Sequence, residues 1–115
     1  MIKVGKFEKV SYNQFRNSIQ LEFDGIFNDE EIQSMYDELQ LPKRSTALSA
    51  GNDFFSPFEF TLEPGESIKI PTGIKVHIKN GWVLTCYPRS GQGFKYCLNL
   101  ANNVGIIDAR WYYSV

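Results

Sequence analysis

The stretch "SIKIPTGIKVHIKNGWVLTCY" (residues 67–87) decides the fold. Apolar residues stand at every second position, Ile68 and Ile70, then Ile74, Val76 and Ile78, with Lys69, Lys75, His77 and Lys79 between them. A period of two marks strands with one buried face. Pro71, which lacks an N–H, predicts an edge or a bend inside this run rather than a central strand. "KNG" (79–81) reads as a turn, and "WVLTCY" (82–87) resumes at strand length. Upstream, "FEFTL" (58–62) carries the same alternation, closed by the turn "EPGE" (63–66). Short strands at this spacing point to a sandwich, barrel or jelly roll. An aromatic content of 15% fits a β-rich core.

The first forty residues have a different period. Ser11 with Gln14 three positions on is a helix-start signature, and Val10 is placed to staple against Phe15. Tyr12, Phe15 and Ile19 then follow at helical spacing, predicting a helix within 10–19. In "NDEEIQSMYDEL" (28–39), Asn28 caps, while Asp29, Glu30 and Glu31 crowd the first turn. Ile32, Met35, Tyr36 and Leu39 form one apolar face. The expected organisation is a helical extension at 1–40 packing on a β domain at 41–115.

The chain has 115 residues, enough for one modest core. Its formal net charge of −1 provides no field to draw it to nucleic acid or a membrane. No apolar run reaches the roughly 18 residues a spanning helix needs. The opening "MIKVGKFEKV" lacks the apolar core of a signal peptide, so the expected location is cytoplasmic. Cys86 and Cys97 have no metal-type spacing and read as free, mostly buried thiols. His77, the single histidine, reads as a solvent-facing strand residue, which leaves catalysis no histidine to use.

Three segments depart from strand and hairpin composition. "STALSAGNDFFSP" (45–57) sets Asp53 between Gly51 and two phenylalanines, although such a sequence is by itself usually a turn. In "YPRSGQGFKY" (87–96), Arg89, Ser90, Gly91 and Gly93 follow a strand, where successive N–H groups can face one anion; a plain turn has the same composition. "NNVGIIDARWYYSV" (102–115) offers Asn102 to read a base edge and Gly105 for close backbone approach. Asp108 follows the apolar pair Ile106-Ile107, with aromatics beyond it.

Taken in order, AGxD (50–53), PRSGxGFK (88–95) and NxVGxID (102–108) resemble the first three motifs of the trimeric deoxyuridine triphosphatases (dUTPases). The strand pair "EPGESIKIPTGIKVHI" between the first and second is similar to that family's as well. "FEKVSYNQF" and "LPKRSTALSAGNDFFSP" resemble the branch found in Gram-positive bacteria and their phages. The resemblance implies a mainly β, jelly-roll-like (β-clip) subunit with two short N-terminal helices. Three such subunits would form a homotrimeric ring with active sites at the interfaces. The implied reaction is water attack on the α-phosphate of dUTP, giving dUMP and pyrophosphate and limiting uracil in DNA.

By motif position, the resemblance makes Asp108 the carboxylate that orients the water, and a buried carboxylate can serve as general base without histidine. Ser90 and the N–H groups of Gly91 and Gln92 would hold the phosphates, supported by Arg89. Asp53 would help hold Mg²⁺ through its water shell. Asn102, with Gly105 and Ile107, would bind uracil, and the hairpin backbone after Asp108 would exclude the thymine methyl. Trp111 takes the position of the aromatic under the deoxyribose.

The chain departs from the pattern in three places. Asn52 replaces the tyrosine of AGYD; Arg110 and Trp111 stand where a second acid and a tyrosine are usual. Arg110 either pairs with Asp108, weakening it as a base, or points to solvent. The family's fourth and fifth motifs are not found before Val115, which leaves open a chain that is part of a longer protein. The alternative is a catalytically impaired relative that binds nucleotide or acts as a regulator. The related dCTP deaminases are disfavoured because no glutamate follows Glu66.

Overall fold

Both helices begin where their capping residues place them. The computed structural model describes residues 3–91, 96, 98–109 and 113–115. Helix α1 spans Tyr12–Glu22, and the Ser11 hydroxyl accepts the Gln14 N–H at 3.2 Å. Helix α2 spans Asp29–Asp37. It opens with a reciprocal capping box: the Glu31 N–H donates to Asn28 Oδ1 at 2.8 Å, and the Asn28 N–H donates to Glu31 Oε1 at 3.0 Å. Asn28→Ala removes one half of this box and should cost about 1 kcal/mol, read as a lower urea midpoint.

Five short strands complete the described elements: β1 (Gly5–Lys9), β2 (Ile74–Ile78), β3 (Leu84–Cys86), β4 (Gly105–Ile107) and β5 (Tyr113–Ser114). One sheet runs in the order β1-β2-β5, and the other pairs β3 with β4. The chain divides into two units, Phe7–Val76 with Ser114–Val115, and Met1–Lys6 with His77–Tyr113. No helix among the described residues is long and apolar enough to cross a membrane.

In the first unit the core is Val10, Phe15, Ile19 and Ile32, closed by Tyr12, Met35, Tyr36 and Leu39. The stapling position is occupied as the sequence predicts, since Val10 and Phe15 lie in this one cluster. The Tyr36 hydroxyl donates to the Val10 carbonyl at 2.7 Å, and Lys9 Nζ donates to the Tyr36 carbonyl at 3.1 Å. These bonds tie α2 to the segment entering α1. Arg16 reaches Asp29 at 3.0 Å, but the pair is exposed and adds little.

Two expected strands are revised. The run 67–79 is a strand only from Ile74, because Pro71 offers no N–H and Gly73 turns with φ +73°. The Gly73 carbonyl accepts the Val10 N–H at 2.9 Å. "FEFTL" is not a strand. Phe58 instead sets its ring 5.1 Å from Phe23 and 5.2 Å from Phe27, so its alternation serves an aromatic cluster at the end of α1. Within β2 the expected alternation holds: Ile74, Val76 and Ile78 are buried, while Lys75 and His77 are half-buried on the other face.

In the second unit β3 and β4 are antiparallel, pairing Leu84 with Ile107, Thr85 with Ile106 and Cys86 with Gly105. Ile107 is buried and Ile106 is exposed, as alternation across a two-faced ladder requires. The Lys79 N–H donates to the Val4 carbonyl at 2.8 Å.

Candidate functional site

Asp53 lies in the first unit, and its backbone is fixed by a partner that the sequence does not announce. The Asp53 N–H donates to the Lys43 carbonyl at 2.8 Å, and the Lys43 N–H donates to the Asp53 carbonyl at 3.3 Å. This isolated antiparallel bridge closes the loop between them. Inside the loop the Ser49 hydroxyl lies 3.0 Å from Ser45 Oγ and 2.9 Å from Thr46 Oγ1, and accepts the Thr46 N–H. Asp53 is half-buried, and Lys43 Nζ sits 5.8 Å from the centre of the Phe55 ring. Neither the bridge nor Lys43 was legible beforehand, because no periodicity links the two positions.

The remaining described candidates belong to the second unit. Arg89, Ser90 and Gly91 are exposed, and Ser90 and Gly91 have helical backbone. Asn102 is exposed in a tight reversal, in which the Asn103 N–H donates to the Leu100 carbonyl at 3.0 Å and the Val104 N–H to the Asn102 carbonyl at 2.7 Å. Asn103 takes a left-handed φ of 66°, a conformation asparagine tolerates better than most residues. Gln92, Arg110 and Trp111, with Gly93 and Cys97, lie outside the described residues.

The ladder register sorts these groups. The segment carrying Arg89, Ser90 and Gly91 leaves β3 at the Cys86–Gly105 end, and Asn102 approaches β4 at that same end. Asp108 leaves β4 at the opposite end, beside Leu84. Within one chain the ladder thus gathers the anion-binding and base-reading candidates and sends the carboxylate the other way. Asp108 is exposed, where a buried carboxylate was expected; two short strands leave its end of the ladder open.

Cys86, across from Gly105, is a free, half-buried thiol. Burial pushes its pKa up, which disfavours the thiolate and makes it a poor nucleophile near neutral pH. The fit of Mg²⁺ rests on the donor set. No three His, Cys, Asp or Glu side chains cluster as a cage among the described residues. A single half-buried carboxylate such as Asp53 suits a hard cation that keeps most of its waters and takes the rest of its ligands from phosphate.

The family model described as dUTPase matches residues 37–115. The deoxyuridine 5'-triphosphate nucleotidohydrolase of Corynebacterium diphtheriae is 41% identical over 90 residues, covering 73% of this chain and 59% of the relative. The protein of that name from Lactococcus lactis subsp. lactis is 43% identical over 74 residues, covering 64% and 49%. That from Psychromonas ingrahamii is 45% identical over 77 residues, covering 64% and 51%. The chain thus spans between 49% and 59% of the length of these relatives. No solved structure gives a significant match.

Proposed function

The chain belongs to the dUTPase family, and on that premise we propose that it hydrolyses dUTP to dUMP and pyrophosphate. The observation that carries this reading is the ordered set AGND (50–53), PRSGQGFK (88–95) and NNVGIID (102–108), all within the matched region. Asp108 orients a water and takes its proton as the water oxygen bonds to the α-phosphorus; the bond from that phosphorus to the bridging oxygen breaks, and pyrophosphate leaves. Ser90 with the Gly91 and Gln92 N–H groups holds the phosphates, Arg89 supports them, and Asn102 with the Gly105–Ile107 strand receives uracil. Trp111 lies under the deoxyribose. Asp53 would help hold Mg²⁺ through its water shell, and the cation would supply charge to offset that of the phosphates.

The divergent exits of Asp108 and the Arg89 segment from the ladder support a site completed between subunits, and membership of the family supports a homotrimer of jelly-roll subunits as the assembly that completes it. Exposed Trp82, Val83, Tyr87 and Ile106 supply apolar surface for such an assembly. Residues 1–40 form the N-terminal extension, which carries strand β1 beside the two helices, and 41–115 the β domain of a cytoplasmic protein of the Gram-positive and phage branch.

The test is pyrophosphate release with Mg²⁺, by this chain and by the chain joined to a relative's C-terminal segment. Release from dUTP and not from dTTP is expected; none from either protein overturns the hydrolase reading. The exposure of Asp108, with Arg110 two residues on, favours a second reading in which the pocket binds nucleotide without turnover. Calorimetry that finds dUTP binding while no pyrophosphate forms would select it.

A further inference from the structure

Gly105 faces Cys86 across the β3–β4 ladder, and the fit between them is unusually close. A Cβ built on Gly105 would lie 3.1 Å from the Cys86 Cβ and 3.7 Å from its Sγ. Ordinary directly opposed residues keep their Cβ atoms about 4.5–5.5 Å apart. A side chain at 105 would therefore need Cys86 or β4 to give by a few tenths of an ångström. Among the described residues, the only neighbours that a Gly105 Cβ would meet belong to Cys86. The demand for glycine comes from within the ladder.

β4 is three residues long, and Asp108 is the next residue after it. With so short a strand, the level of the backbone at Gly105 is carried directly to Asp108. Ile107 is buried and pairs with Leu84, so a push at Gly105 pivots β4 about Ile107 and re-aims Asp108 immediately beyond it. We infer that Cys86 is a positioning residue for Asp108: it dictates glycine at 105 and thereby sets the height at which β4 delivers the carboxylate. The inference rests on the proposed role of Asp108 and changes the meaning of Gly105, whose missing side chain makes room for Cys86 and not for a base.

The test is a swap of the two residues. Gly105→Ala asks Cys86 or β4 to give by a few tenths of an ångström. A full 1 Å misplacement costs roughly 10²-fold in rate, so kcat for dUTP should fall by about tenfold with KM little changed. Cys86→Gly/Gly105→Ala moves the Cβ to the other strand and should bring kcat back to within about threefold of the original, a coupling expected of residues in direct contact. Cys86→Ala/Gly105→Ala keeps the obstructing Cβ and should not recover. The backbone amide resonance of Asp108, followed by NMR without nucleotide, should shift in Gly105→Ala and return in the swapped pair. A raised KM with kcat kept would overturn the inference, because Gly105 would then contact the base itself. An Asp108 resonance indifferent to all three variants would overturn it too. If the unaltered chain and its extended form hydrolyse no dUTP, the hydrolase reading falls, and the Asp108 resonance still decides whether Cys86 sets its position.

Discussion

Asp108→Asn is expected to lower kcat for dUTP by about 10²- to 10⁴-fold, the range a positioned general base contributes. Asparagine keeps the shape of the side chain and its hydrogen-bonding oxygen but cannot take the proton of an attacking water. Asp108 is exposed and just outside β4, so the substitution removes no buried contact. Thermal unfolding should be unchanged, and dUTP affinity, measured by calorimetry, should stay close to the original. A variant that keeps its rate would remove Asp108 from the chemistry and leave the nucleotide-binding reading in its place.

Gly73→Ala is expected to cause the largest loss of stability. Its φ of +73° lies in the left-handed region, where a side chain costs about 1–2 kcal/mol. A Cβ there would also come 2.5 Å from Leu39 Cδ1 and 3.0 Å from Phe15 Cδ1. Phe15 is 1% exposed and cannot yield without disturbing the Val10, Ile19 and Ile32 core. Overpacking of that kind adds about 1–3 kcal/mol, for a total near 2–5 kcal/mol. That is a large share of the 5–15 kcal/mol or so that holds a domain together. Urea denaturation should show a lower midpoint with the slope preserved. Gly65→Ala is the control, since Gly65 has φ +85° but nothing within 4 Å of a built Cβ. An equal loss in the two variants would show that crowding against Phe15 and Leu39 plays no part.

What the sequence disclosed, and what it hid, follows from the range of each interaction. The caps at Ser11 and Asn28 were legible because a cap is settled within four residues. The buried face of β2 was legible because alternation is a property of the strand itself. "FEFTL" misled because alternation says which side chains share a face but not what will cover them; here the cover is an aromatic cluster with Phe23 and Phe27. The candidate site divides the same way. Its motifs could be read in order, but the Lys43–Asp53 bridge and the Cys86–Gly105 opposition depend on pairing between distant segments. The exposure of Asp108 was hidden for the same reason.

The bridge between Lys43 and Asp53 has a consequence for how this protein can vary. Two backbone hydrogen bonds hold Asp53 from the base of the loop, so what lies between the anchors is free to change length. Leu48, 97% exposed, already juts from that loop, and Ala50 and Gly51 are exposed outside the Ser45–Thr46–Ser49 hydroxyl cluster. Doubling a loop adds only about 0.6 kcal/mol of closure entropy. Changes of loop length are therefore cheap in closure entropy, and a lineage could lengthen or decorate the loop ahead of AGND (50–53) while the carboxylate at its foot stays where the bridge put it.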